Sequence, residues 1–324
     1  MAARLSPAPL RPPEIVDLRR LSARDLEPLL DEETAAWRTE LEWDFDKSAD
    51  LVRRFVDLRA LNGSALIEDG EVSGYLYFVV EDNKGLIGDL YVRREWRTPE
   101  RERTLLEWAL DSIMASPSVS RIESQLMMLQ FPPRRPAPRE EFASSFERNF
   151  MRVDLRRGPM PEGRIRWPVY VERWSDQYTD AASQLIASAY AGHIDSRIND
   201  QYRSPAGARR FLYNIVQYPG CGAFYRLASY AAFEASTGHM CGVSLASMVA
   251  PECGHITQIC VSPSVKGKGV GHALLRHSLM TLRDHGCRSG SLTVTAANTE
   301  AVDLYERVGF STVRRFSAYV WEGF

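Results

Sequence analysis

The sequence predicts a protein of the α/β class, more narrowly an α+β mixed sheet flanked by helices, built twice in tandem. Three observations lead there. At 324 residues and 44% hydrophobic, the chain exceeds what one core usually organises. Strand-like runs alternate with helical periodicity along its length. The strand-then-helix pattern of residues 16–37 recurs without a gap at 169–190, a duplication at domain scale. The expected organisation is a flexible tail over residues 1–13, one unit over 14–160 and a second over 161–324. The joint falls in Arg156-Arg157-Gly158-Pro159-Met160-Pro161-Glu162-Gly163, whose proline and glycine content suits a short linker.

In the first unit, residues 15–20 read as a strand and 23–37 as a helix. Ser22 is placed to cap that helix, and Leu26, Leu29 and Leu30 share one face. A second helix is expected over 48–61, ended by Gly63. Runs at 65–67 and 75–80 read as antiparallel strands joined across the Asp69-Gly70 turn, and 86–92 as another strand. A helix over 99–114, a strand over 121–129, a helix over 140–149 and a strand over 151–155 complete the unit. In the second, strands at 225–234 and 241–250 precede an apolar run that ends at Val261 and is stopped by Pro263.

Past Pro263 the chain turns on Gly267, Gly269 and Gly271 and enters the helical pattern of Ala273, Leu274, Leu275 and Leu279. Glycines let a backbone approach a ligand closely, and the free N–H groups of a first helical turn favour an anion, most simply a pyrophosphate. Lys266, Lys268, His272 and Arg276 add positive charge at the same end. The spacing fits neither a P-loop, since His272-Ala273 follows Gly271, nor a G-x-G-x-x-G dinucleotide fingerprint.

A second motif lies downstream, Asn298-Thr299-Glu300-Ala301-Val302-Asp303-Leu304-Tyr305-Glu306-Arg307-Val308-Gly309-Phe310. With Val261-x-Pro263 and the K-G-K-G-V-G turn, it resembles the GNAT superfamily of acyl-CoA-dependent N-acyltransferases, over about residues 167–324. Lys266 departs from the Arg or Gln usual in the family. The resemblance implies two parallel strands that splay apart, the later over 290–295, with the pantetheine of acetyl-CoA pairing between them against the backbone of Ile259, Cys260 and Val261. It implies that Lys266, Gly267, Lys268, Gly269, Val270, Gly271 and His272 hold the pyrophosphate. Asn298 would contact CoA, cap the following helix, or both.

The same resemblance makes Tyr305 the general acid that protonates the CoA thiolate; a core aromatic is the plainer reading. An amine acceptor is mostly protonated at neutral pH, so a proton acceptor is needed. His255 stands six residues before Val261, where family members carry a Glu or His base. The even offset keeps it on the face of Val261 unless a bulge intervenes. Glu252 is the reserve. Cys253 and Cys260 lack a partner fixed by spacing and are taken as structural. Asp195 and Asp200, in the polar stretch 193–202, are candidates to receive a cationic amine, with a solvated loop as the alternative.

Laying Val92 on Val261 puts Arg97-Thr98-Pro99-Glu100-Arg101-Glu102 where the phosphate turn would be. Pro99 supplies no N–H, and two carboxylates repel a pyrophosphate. The first unit is therefore expected to be a degenerate copy without CoA, serving as scaffold or as one wall of the acceptor site.

Net charge is −2, which argues against a broad nucleic-acid or membrane surface. The five cysteines, Cys221, Cys241, Cys253, Cys260 and Cys287, are odd in number and include no C-x-x-C pair, so neither a disulfide framework nor a metal site is expected. Prolines interrupt the first residues where a signal peptide needs an apolar core, and no run approaches spanning length, which suits a cytoplasmic protein. The expected function is N-acetyl or short-acyl transfer from CoA to the amine of a small molecule, directly within a ternary complex. Enzymes of mycothiol biosynthesis share a tandem layout, which points to an amino-sugar or another small metabolite. The alternatives are a peptide or protein N-acetyltransferase and a non-catalytic CoA-binding sensor or scaffold. The chain is expected as a monomer, a pseudo-dimer of its own halves, or as a homodimer.

Overall fold

One succession of strands and helices is laid down twice. A computed structural model describes residues 13–324 except 131–135, 159, 219 and 221. The expected tail, apart from Pro13, lies outside the described residues, as do Pro159 of the joint and Cys221. The first half runs β1 (Glu14–Asp17), α1 (Ala23–Leu41), α2 (Asp46–Asp57), β2 (Asn62–Glu68), β3 (Glu71–Glu81), β4 (Lys84–Val92), α3 (Pro99–Met114), β5 (Arg121–Gln125) and β6 (Ala143–Asp154). The second runs β7 (Val169–Arg173), α4 (Thr179–Ala189), α5 (Asp195–Ile198), α6 (Pro205–Gln217), β8 (Ala223–Phe224), β9 (Tyr230–Glu234), β10 (Met240–Ala250) and β11 (Cys253–Val261). It closes with α7 (Val270–Asp284), β12 (Ser289–Thr295), α8 (Thr299–Val308) and β13 (Ser311–Glu322).

Local chemistry sets several boundaries. Ser22 and Asp25 form a reciprocal capping box at the start of α1. Asp69 and Gly70 both take positive φ, 51° and 86°, as a two-residue hairpin turn between β2 and β3 requires. Two expectations fail. α2 ends at Asp57, and Gly63 is an extended residue inside β2. The helix expected over 140–149 is a single 3-10 turn, Glu140–Phe142, followed by the 12-residue strand β6. Both edges of β6 are paired, to β12 and to β13, and those ladders override the local helical pattern.

All the strands join one 13-stranded sheet, ordered β1-β2-β3-β4-β5-β13-β6-β12-β11-β10-β9-β7, with β8 beside β10. The order is nearly palindromic, and its centre is an exchange. β13, the last strand of the second half, pairs with β5 of the first, while β6 of the first half pairs with β12 of the second. The mixed character expected of the sheet holds: among the described strands only β4–β5 and β11–β12 run parallel.

The two copies agree residue by residue around these parallel pairs. β4 and β5 are in register from Lys84–Arg121 to Ile87–Ser124, then separate; β11 and β12 are in register from Cys253–Ser289 to Ile256–Leu292, then separate. Each first strand carries a bulge just past its last parallel pair, at Gly88 in β4 and Thr257 in β11. α1 and α2 cover a core that reaches from Leu26 and Leu30 across to Phe150, Cys253 and Phe316. α7 packs Leu275, Leu279 and Leu282 on the opposite face, against Ile256, Leu292 and Val294. Ile198 of α5 covers Phe146 and Val320. Helices of each half thus cover strands of the other.

Candidate active site

The separation of β11 from β12 leaves one edge of residues 257–261 without a strand partner, while the other edge stays paired to β10 through Val261–Gly242, Cys260–Val243 and Ile259–Ser244. An unpaired edge offers backbone N–H and C=O groups to an extended ligand. A cleft of about 130 Å³ opens at this point, and its walls include Ile256 to Ile259, Leu292 to Val294, Asn298 and Tyr305. Ile259 lines the cleft, and Cys260 and Val261 continue the same strand.

At one side of the same strand end, α7 begins at Val270. Gly267 and Gly269 take φ of 74° and 88°, values that favour glycine. No side chain caps the helix. The N–H groups of its first turn, from Val270 to His272, have no carbonyl one turn earlier to accept them. In the first copy the equivalent helix, α3, is capped by Thr98, whose Oγ1 accepts from the N–H of Arg101, and opens on Pro99. Glu102 there accepts the N–H of Gln130, and Arg97 returns to the carbonyl of Val92 and lies over the Tyr91 ring. The second helix start is left without a side-chain cap; the first is filled by its own residues.

The joint between the halves lies against this turn. A Cβ on Gly269 would stand 2.4 Å from the carbonyl oxygen of Arg164, and the N–H of Arg166 donates to the carbonyl of Lys268. Gly163 lies against the ring of His272, so closely that a Cβ would overlap it. The Nζ of Lys268 stands 3.6 Å over Trp167, and Lys266 pairs at 2.6 Å with Glu300, whose carboxyl this partner holds below its usual range. Burial and the neighbouring Arg276 and Arg307 lower the pKa of His272. Gly271 is different: a Cβ there would make only ordinary contacts with Val261 and Leu304.

Tyr305 is buried in α8, 7% exposed, with its ring against Phe310. Burial raises its pKa, the charge of Asp195 adds to the rise, and Arg148 opposes it. Such a hydroxyl keeps its proton at neutral pH. Asn298 precedes the helix without a side-chain cap bond, so its capping role is not realised and its side chain joins the cleft lining. Gln258 donates to the Tyr190 hydroxyl at 3.0 Å and accepts from the Tyr202 hydroxyl at 3.3 Å, and those two rings stack at 4.4 Å. Burial pushes the Cys260 thiol up to about 12, which leaves it unsuited to nucleophilic attack.

His255 is not brought to Tyr305. The bulge at Thr257 shifts the alternation, so that His255 shares a face with Gln258 and Cys260 and not with Val261. Its ring is 5% exposed, stacks on Phe150, meets Trp43 at 5.0 Å and shares a hydrogen bond of 2.9 Å with Ser291. Burial lowers its pKa to about 3, so the ring is neutral. Glu252 lies at the other end of the strand, paired with Arg288 on the rim of a separate cavity of about 770 Å³. Asp200 is taken by Lys84 of the first half at 2.6 Å.

The carboxylate that does reach the cleft is Asp195. It accepts from Thr295 and from Arg148, whose Nη1 stands 3.4 Å away, and Arg148 belongs to β6. Gln125 of β5 also lines the cleft. The sequence reading missed both first-half residues, because their place depends on the strand exchange. Among the described residues, no group of three or more His, Cys, Asp or Glu side chains is arranged to hold a metal ion, and no helix is long and apolar enough to cross a membrane.

Comparison with known proteins agrees with this architecture. Residues 191–310 match the model of the acetyltransferase (GNAT) family. The mycothiol acetyltransferase of Propionibacterium freudenreichii subsp. shermanii is 42% identical over 60 residues, covering 18% of this chain and 19% of that one. That of Mycolicibacterium vanbaalenii is 32% identical over 99 residues, 29% of this chain and 33% of its own. The chain thus spans about a fifth to a third of the curated relatives it matches. Among solved structures, a GCN5-related N-acetyltransferase from Sphaerobacter thermophilus superposes with a TM-score of 0.66 at 20% identity, over 95% of both chains. A tandem GNAT protein from the clavulanic acid biosynthesis pathway does so with a TM-score of 0.60 at 18% identity, over 96% of this chain and 98% of that one. Residues 191–310 are thus similar to the acetyltransferase (GNAT) family, and over its length the chain has the fold of these neighbours.

Proposed function

We propose that the second half, residues 161–324, transfers an acetyl or other short acyl group from CoA to the amine of a small molecule, by direct transfer in a ternary complex. The observation that carries this reading is the parting of β11 and β12 beside an uncapped, glycine-led helix, with Tyr305 across the gap. In this reading the pantetheine of acetyl-CoA lies along the free edge of Ile259, Cys260 and Val261. The pyrophosphate meets the N–H groups from Gly267 to His272, with Lys266 and Lys268 adding charge.

The acceptor nitrogen attacks the thioester carbonyl carbon, the tetrahedral centre collapses, and the C–S bond breaks. Tyr305 gives its proton to the departing thiolate, and the proton that the attacking nitrogen sheds as the amide forms restores the hydroxyl. Asp195 is the carboxylate that receives the acceptor's ammonium, and the amine's proton leaves to water through the cleft mouth, since His255 is sealed in the core as a neutral ring. The first half, residues 14–160, binds no CoA and serves as scaffold and as one wall of the acceptor site. Thr98 and Pro99 at α3 support that reading.

The small cleft favours a small acceptor over a protein terminus, which needs an open groove. The name of the sequence relatives makes a mycothiol-type amine one acceptor to test. The experiment is CoA release from acetyl-CoA across amino-sugars, simple amines and peptide N-termini, with Tyr305→Phe alongside. Release with small amines, lost in the variant, supports the proposal. Thermal stabilisation by acetyl-CoA with an intact thioester across the whole panel would replace it with a non-catalytic CoA-binding protein.

A further inference from the structure

Arg148 stands on β6 directly opposite Thr295 of β12 and Phe316 of β13, at the centre of the strand exchange. Its Nη1 donates to Thr295 Oγ1 at 3.2 Å and to Asp195 Oδ1 at 3.4 Å. Its Nε is sealed from solvent with no acceptor among the described residues. A buried charged donor left without a partner is costly, and proteins rarely keep one unless something supplies the acceptor. Arg148 and Asp195 both line the cleft that holds Asn298 and Tyr305. The wall therefore sets a carboxylate beside a guanidinium whose hydrogen bonding the described residues leave incomplete.

The complementary ligand has the same pair in reverse, a cationic nitrogen with an oxygen acceptor close beside it. We propose that Arg148, carried into the cleft by the first half, selects acceptor amines bearing a carbonyl or hydroxyl oxygen two carbons from the nitrogen. The ammonium meets Asp195 and the oxygen meets Arg148. This rests on the transferase reading above and narrows it to α-amino carbonyl compounds and vicinal amino alcohols. It makes Arg148 a specificity residue supplied in trans by the half that lacks the phosphate turn.

The test compares matched acceptors on the full chain: glycinamide against isobutylamine, and ethanolamine against propylamine, each read as kcat/KM at saturating acetyl-CoA. The native protein should prefer the oxygen-bearing member of each pair on the order of 10- to 100-fold, the discrimination expected when a buried donor loses its partner. Arg148→Met should bring both ratios near one with the KM for acetyl-CoA unchanged, and Arg148→Lys should keep part of the preference. The ratio is internal to each variant, so partial loss of folded protein cancels. If Arg148→Met does not fold, the native ratio and that of Arg148→Lys decide. Equal use of both members by the native protein, or an unchanged ratio in the folded variants, overturns the assignment of Arg148 while leaving the transferase reading in place. A native protein that releases no CoA with any amine tried, these four and the wider panel alike, removes both.

Discussion

Arg148 and Asp195 face one another at 3.4 Å from opposite halves of the chain, 47 positions apart, and the Thr295 hydroxyl bonds to both. The pair places a product of the first half inside the cleft of the second. The predictions below follow from this joint construction and from the contrast between the two helix starts.

Tyr305→Phe should lower turnover on the order of 100-fold, the usual contribution of a positioned acid, with little change in the KM for acetyl-CoA. No hydrogen bond from the Tyr305 hydroxyl to another described residue accompanies its ring packing, so the melting temperature should hold. Steady-state kinetics with differential scanning fluorimetry checks both. Unchanged turnover would reduce Tyr305 to a packing residue.

The glycines of the turn should separate by cause. Gly269→Ala meets the Arg164 carbonyl and a φ of 88°, and should cost on the order of 1–3 kcal/mol of stability. Gly271→Ala finds only ordinary contacts at a helical position and should leave stability intact or slightly raised. If its N–H approaches a pyrophosphate, the KM for acetyl-CoA should still rise. Denaturation midpoints set against that KM make the distinction.

Thr98→Ala removes the cap of α3 and should cost about 1 kcal/mol in urea unfolding, with the KM for acetyl-CoA unaltered. A crystal soaked with CoA that showed phosphate against residues 98–102 would overturn the idea of a degenerate first copy.

His255 has a folded pKa of about 3 against an ordinary value of 6.5, so below pH 6.5 the unfolded chain takes up a proton that the folded chain refuses. Its contribution is present above pH 6.5 and is lost as pH falls toward 3, by up to about 1.4 kcal/mol per pH unit. The buried carboxyls of Glu33 and Asp89, both raised chiefly by burial, act in the opposite sense. The difference between native protein and His255→Gln isolates the histidine. That difference should narrow on acidification in thermal melts, while the pH profile of kcat stays alike in the two proteins; a shifted profile would return His255 to the chemistry.

Residues 161–324 expressed alone should be inactive, because removing β6 exposes the edge of β12 and takes Arg148 away. Co-expression with residues 1–160 should restore CoA release. Full activity of the isolated second half would show that the first contributes nothing to the cleft.

What the sequence made legible was local. The glycine turn, the Asn298 to Phe310 motif, the Ser22 cap and the Asp69-Gly70 hairpin each depend on neighbours within a few positions, and all appear where the residues put them. The failures are long-range. The local pattern of 140–149 suggests a helix, whereas pairing to β12 and β13 makes the segment strand from Ala143 onward. Arg148 meets Thr295 across 147 positions, and no local pattern announces such a partner. The face of His255 turned on an extra residue at Thr257: a bulge stood as the alternative to the even offset, but threonine is ordinary in strands and no residue there fixed its place.

The exchange of β6 and β13 also bears on how the protein comes to be made. Arg121 of β5 and its neighbour Glu322 of β13 are 201 positions apart, so β5 leaves the ribosome long before its partner exists. Through that interval the nascent first half carries an open edge along Arg121–Gln125, the kind of surface that recruits chaperones or a neighbouring polysome product. A slow translation step between α8 and β13 would lengthen this exposure, and the yield of native protein should fall with it.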